Sequence, residues 1–301
     1  MPDSAYKDGK IAQKAVEDLK RLKDKEQPFF LACGFLKPHL PFNAPSKYWD
    51  MYDPDAIPQA EYTEKPENAP DQAMHHSGEL RAYHNIPPTG PVSDDMAKTL
   101  KHGYYACVSY TDAQIGKLLD ALDELGLAEN TIVILWGDHG WNLREHGMWC
   151  KHCNFETSLH APLIIKAPTM KKGLKVNGIT EFIDIYPTLC DLAGLERPDH
   201  LAGASLTPVL SGKQQRVKDY AVCRWKNGIT LIKDQYFYTE WVDEQGELQT
   251  RMLYNHETDP RETVDISAFP EQRDRVQRFS KELREKWGKD FWTDFPFEAY
   301  R

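Results

Sequence analysis

TIVILWGDHGWNLREHGMWCKH, residues Thr131 to His152, is the stretch on which the reading of the fold turns. From Thr131 to Trp136 the chain is apolar or β-branched without a charged break, and Gly137 ends the run. That texture suits a strand covered on both faces in a mainly parallel sheet. In an open α/β sheet, ligands gather beyond the carboxyl ends of the strands, so Asp138 and His139 stand where chemistry is usually done. A hard carboxylate oxygen beside an imidazole can bind a divalent cation, and Gly137 and Gly140 let the backbone turn tightly without a Cβ penalty. Taken alone, the pair reads more simply as a turn Asp with a surface His, because two residues do not make a metal site.

The residues that follow change that balance. They bring Trp141, Glu145, His146, Trp149, Lys151 and His152, a density of imidazole, indole and ammonium unusual for a loop. Cys150 and Cys153 form a Cys-x-x-Cys near His139, His146, His152 and His160, so a small zinc site is a rival reading. A structural zinc site normally takes a second spaced ligand pair, and no thioredoxin-like pattern surrounds the dithiol. Inert thiols are the simplest account. The other cysteines sit in apolar runs, where small buried hydrophobes are expected.

Upstream, Ile11, Ala15, Val16, Leu19 and Leu22 recur at helical spacing, and a strand is expected from Phe29 to Phe35. Residues 43–91 are rich in Pro, Asp and Glu and read as a long excursion over the surface. Helical periodicity returns from about Asp94 to Leu125, with Asp94 and Asp95 placed to favour a helix start and Gly126 to close it. Downstream, residues 162–166 predict a short strand, and Ile183 to Ala193 a helix ended by Gly194. After about Ser211 the segments AVCRW, GITLIKD, QYFYTEWV and TRMLYNHE alternate between turn residues, as in an antiparallel meander. A helix from Glu271 to about Trp287 should pack on it. The expected architecture is α/β: a mainly parallel or mixed sheet flanked by helices over residues 1–210, then a small antiparallel sheet plus helix over 211–301.

Composition bounds the partners. At 301 residues and 41% hydrophobic, the chain is globular and long enough for a large core. A formal charge of −9 argues against unspecific nucleic-acid binding, although a few local cations can still hold a small anion. The opening MPDSAYKDGKIAQKAVEDLK has no signal-peptide core, and no apolar stretch reaches membrane-spanning length.

Four parts of the chain together resemble the sulfatase family of the alkaline phosphatase-like superfamily, most of all its iduronate 2-sulfatase-like branch. They are PFFLACGFLKPHLPF (Pro28 to Phe42), the helix and strand from Gly103 to Gly140, FIDIYPTLCDLAGL (Phe182 to Leu195) with Gly203-Ala-Ser-Leu, and LYNHETDPRET (Leu253 to Thr263). The resemblance implies a sulfuric ester hydrolase acting on sulfated carbohydrate or another sulfate ester. It implies Asp138 and His139 as half of the metal shell of one Ca2+. Lys151 would lie on the sulfate oxygens, offsetting charge that grows as the S–O bond breaks. His39 would stand near the leaving-group oxygen, to bind sulfate or pass a proton. Trp141 would wall a sugar ring and His146 would support the site, with a packing Trp and a structural His as the plain alternatives.

The family makes formylglycine from Cys or Ser in a Cys/Ser-x-Pro-x-Arg motif, and no Cys or Ser here fits it. Its further metal-binding Asp pair comes from an earlier strand, and Asp94-Asp95, the candidate pair, is better explained by helix capping. The expectation is therefore the C-terminal portion of a sulfatase, without the nucleophile and half of the metal shell. It should be inactive unless a missing N-terminal sulfatase segment joins it, and poorly soluble through uncovered sheet edge and apolar helix faces. Two other readings remain: a catalytically inactive sulfatase-like binding or scaffold protein, and a metal-dependent phosphohydrolase of the same superfamily. Full-length relatives of this kind are periplasmic, secreted or lysosomal, and this sequence itself carries no address.

Overall fold

Ala12, Ala15 and Leu19 line the buried face of helix α1 (Lys7–Lys23), and covering that stripe organises the start of the chain. The computed structural model describes residues 1–25 and 27–293, which divide into two units: Met1–Glu61 with Gly78–Thr131, and Tyr62–Ser77 with the chain from Ile132 on. The boundary expected near residue 210 falls inside the second unit, and residues 294–301 lie outside the described residues.

In the first unit α1 packs on helix α2 (Asp94–Glu124), whose Ala106, Cys107 and Tyr110 form a core with Ala44 and Tyr48. The Gly9 amide donates to the Tyr110 hydroxyl at 2.6 Å, tying the two helices together. The Ser93 side chain accepts from the Met96 amide, and Asp94 and Asp95 occupy the first turn, so this carboxylate pair starts a helix. Gly126, at φ +69°, follows Leu125 and ends α2.

The strand expected over residues 29–35 needs correction. These residues alternate between half-buried and exposed, with Phe30 83% exposed, but join no ladder among the described residues. The amides of Leu36 and Lys37 instead donate to the Asp8 carboxylate, each at 2.9 Å. A period-two pattern shows readiness to be a strand; a ladder also needs a neighbour.

The second unit holds the apolar run as β1 (Val133–Trp136), then β2 (Asn142–Leu143), β3 (Trp149–Cys150), helix α3 (Glu156–Leu159) and β4 (Leu163–Lys166). Here too an expectation is corrected: β1 pairs antiparallel with β4, Val133 opposite Lys166 and Trp136 opposite Leu163. Neither strand is covered on both faces, since Trp136 is 50% and Ile164 61% exposed. β-branched composition reports strand propensity and says nothing of the direction of the partner. The mixed α/β class stands; the named strands among the described residues all pair antiparallel, and an isolated bridge between Glu67 and Val264 is parallel.

Helix α4 (Ile185–Ala193) ends at Gly194 (φ +67°), as the sequence predicts. The meander is also found: β5 (Tyr220–Trp225), β6 (Gly228–Lys233), β7 (Tyr236–Val242) and β8 (Leu248–Asn255) pair in order. Helix α5 (Arg273–Thr293) lays Val276, Phe279 and Leu283 on Ile229, Leu231, Tyr238 and Leu253, closing an apolar core. No helix among the described residues is long and apolar enough to cross a membrane.

Candidate functional site

The turn after β1 is clamped by the segment that leads into β4. The Gly137 amide donates to the Pro162 carbonyl at 3.1 Å and the Gly140 amide to the Ser158 carbonyl at 2.9 Å. A Cβ at residue 140 would lie 2.1 Å from the Thr157 carbonyl oxygen and 2.6 Å from that of His160, so only glycine fits. Helix α3, which carries the Thr157 and Ser158 carbonyls, is pinned to β2. Asn142 Nδ2 donates to Ser158 Oγ at 2.8 Å, and Thr157 Oγ1 donates to Asn142 Oδ1 at 2.5 Å.

Inside this clamp the Asp138 side chain is 86% exposed and that of His139 29%. His139 Nδ1–H donates to the Gly140 carbonyl at 2.8 Å, and Nε2 lies 3.5 Å from Asp138 Oδ2. With Nδ1 fixed by that bond, Nε2 is the nitrogen that would face a metal. The pair is nevertheless short of a shell, because calcium takes roughly six to eight oxygen ligands. Among the described residues no group of three or more His, Cys, Asp or Glu is arranged to hold an ion. These residues do not by themselves form the calcium site that the resemblance implies.

Trp141 ties Lys151 to the same turn. Its indole stacks on His139 with centroids 5.8 Å apart at 27°, and Lys151 Nζ lies 4.9 Å from the Trp141 ring. Asp138, His139, Trp141 and Lys151 thus form one contiguous file. His146 is placed differently: it is 4% exposed, its Nε2 donates to the Arg261 carbonyl at 2.9 Å, and its ring lies 4.4 Å from Phe155. His39 belongs to the first unit, between the cis Lys37-Pro38 and Leu40-Pro41 bonds. Its Nδ1 donates to the Leu40 carbonyl at 2.9 Å and its Nε2 faces Glu79 Oε1 at 2.8 Å, so both ring nitrogens are pinned.

The dithiol is packed away. Cys153 is 3% exposed with Sγ 3.0 Å from Ser158 Oγ, and burial pushes its thiol up, which disfavours the thiolate that zinc or redox chemistry requires.

Behind the clamp lies a pair that sequence reasoning missed. Glu262, 2% exposed, accepts the Glu156 amide at 3.0 Å through Oε2 and faces His256 Nε2 at 3.1 Å through Oε1. Burial pushes the Glu262 carboxyl up against the opposing pull of His256. Desolvation alone would lower His256, but the hydrogen bond to Glu262 and the charges of Glu262, Glu156 and Asp259 outweigh it and raise its value. The available signal was HETDPRE, an ionisable run directly after an apolar strand.

The sequence profile of the Sulfatase family matches residues 2–195, and that described as N-sulphoglucosamine sulphohydrolase, C-terminal, matches residues 144–289. A sulfatase of Formosa agariphila is 33% identical over 258 residues, covering 80% of this chain and 46% of that protein. The iduronate 2-sulfatase of Homo sapiens is 33% identical over 229 residues, covering 66% of this chain and 42% of that one. The matched region is thus less than half the length of either relative. A protein solved in complex with its substrate D-glucosamine-2-N,6-O-disulfate shares the fold, with a TM-score of 0.84 at 21% identity over 97% of this chain and 71% of that one. The chain belongs to the sulfatase family.

Proposed function

We propose that this chain supplies part of the active centre of a sulfuric ester hydrolase for sulfated carbohydrate. Asp138 and His139 are half of its metal shell, and Lys151 is the cation on the sulfate oxygens. One observation carries the reading: the file in which Trp141 holds the Lys151 ammonium beside the His139 turn. An ammonium fixed there offsets the negative charge that develops on the sulfate oxygens as the S–O bond breaks. The indole that positions it also offers a flat apolar face to a sugar ring. In the first unit, His39 is held at both nitrogens, by the Leu40 carbonyl and by Glu79, and is the residue proposed to serve the leaving oxygen. His146 supports the loop through Arg261. The sugar disulfate named for the solved relative supports a carbohydrate substrate. Because no Cys/Ser-x-Pro-x-Arg motif stands in these 301 residues, the reading requires a nucleophile from elsewhere. The same fact favours a second reading, a sulfatase-like binding protein without turnover.

Calorimetry with a sulfated disaccharide and its desulfated counterpart tests the pocket. The sulfated sugar should bind, Lys151→Ala should weaken it about tenfold or more, and the 301-residue chain alone should release no sulfate. Equal affinity for both sugars would sink the sulfate pocket. Release that Asp138→Ala abolishes would refute the need for an outside nucleophile. Turnover restored by a separately expressed segment bearing the motif supports the hydrolase, and intact binding without restoration supports the binding protein.

A further inference from the structure

The Glu262–His256 pair takes no direct part in the site described above, yet the turn's support runs through it. Helix α3 begins at Glu156 after Phe155, whose side chain gives no cap, and its first amide is received instead by Glu262 Oε2. The helix then delivers the Ser158 carbonyl to the Gly140 amide, and its Thr157 carbonyl, with that of His160 just beyond its end, fills the space a Cβ at residue 140 would need. Glu262 is itself locked. Its backbone sits at φ +52°, a conformation that residues with side chains rarely adopt, and Asp259 Oδ2 accepts the next two amides, Thr263 at 2.7 Å and Val264 at 3.0 Å. His256 is held flat against Phe237, centroids 3.9 Å apart. The ionisable groups facing the pair are Glu156, whose Oε2 is 4.0 Å from His256 Nδ1, His160 on Glu156 at 3.3 Å, Asp259 and His146.

We infer that Glu262 is a positioning residue for the Asp138–His139 turn, acting through the Glu156 amide and helix α3 and oriented by His256. This rests on the reading of that turn as half of a metal shell, and it deepens that reading by naming what holds the half-shell in place. The carboxylate is suited to the task because it is buried, bidentate in use and fixed at both oxygens, so movement at residue 262 is passed to α3 rather than absorbed by solvent.

Amide hydrogen exchange and His139 ring resonances, measured by NMR on the whole 301-residue chain, test this. In Glu262→Ala the Gly140 amide should exchange about tenfold faster or more, while Leu231 and Tyr238 in the four-stranded sheet keep their protection. Glu262→Gln keeps an oxygen to accept the Glu156 amide and should restore most of the protection. Should Glu262→Ala fail to fold, His256→Gln carries the test: the Gly140 amide should exchange faster and the His139 signals should move. Unchanged signals in both variants, or faster exchange spread evenly over the sheet, would overturn the inference. Loss of the sulfated-sugar binding predicted above would strike the functional reading and leave this exchange result standing.

Discussion

Replacing Gly140 by Ala probes the one backbone approach on which the site's geometry depends. The new Cβ would sit 2.1 Å from the Thr157 carbonyl oxygen, where real Cβ atoms essentially never come closer than 3.0 Å. The turn and helix α3 must therefore part by about 1 Å. That displacement takes the Gly140 to Ser158 hydrogen bond from 2.9 Å beyond the range in which it is a bond. Losing it costs about 1 kcal/mol, and the forced repacking roughly 1–3 kcal/mol more. A total of about 2–4 kcal/mol corresponds, in a chain of 301 residues, to a melting temperature lower by roughly 3–6 °C. Thermal melts followed by circular dichroism read this, and His139 resonances report whether the turn has moved. Gly116→Ala is the control, because nothing lies within 4 Å of its Cβ and it sits inside α2. That change should stabilise by about 0.5–1 kcal/mol. A Gly140→Ala protein that melts with the wild type and leaves His139 unshifted would refute the clamp.

Two further outcomes follow from buried groups. Burial pushes the Cys107 thiol up to about 12 and raises Cys153 as well, so a thiol reagent at pH 8 should leave both unlabelled until denaturant is added; rapid labelling of Cys107 in the folded chain would contradict its place in the α1–α2 core. His256 holds its proton more tightly folded than unfolded. The stability it contributes is complete below its ordinary value of 6.5 and is lost as pH rises through the raised folded value. The raised Glu262 carboxyl acts in the same sense at lower pH. Denaturant midpoints at pH 6 and pH 9 should fall for the wild type and stay level for His256→Gln; parallel falls would show that the pair is not linked to folding.

Much of this protein was legible because short-range rules sufficed. Asp94 and Asp95 announce α2, Gly126 and Gly194 close their helices, and the alternation after Ser211 becomes the meander β5 to β8. The Gly-Asp-His-Gly turn was readable for the same reason: a strand-like run ended by glycine sets where its side chains emerge. What failed was pairing. Residues 29–35 carry a strand's alternation without a ladder, and Val133 to Trp136 meets an antiparallel partner instead of a parallel one.

The residues themselves determined which segments would be helix, strand or tight turn, and which side chains could offer a cation or a metal donor. Those properties depend on neighbours a few positions away. Only the tertiary structure decided that Trp141 would carry Lys151 to His139. It also decided that a carboxylate 106 positions from Glu156 would receive that residue's amide. Contacts of that span are selected by how elements pack around a shared core, where every candidate partner competes at once.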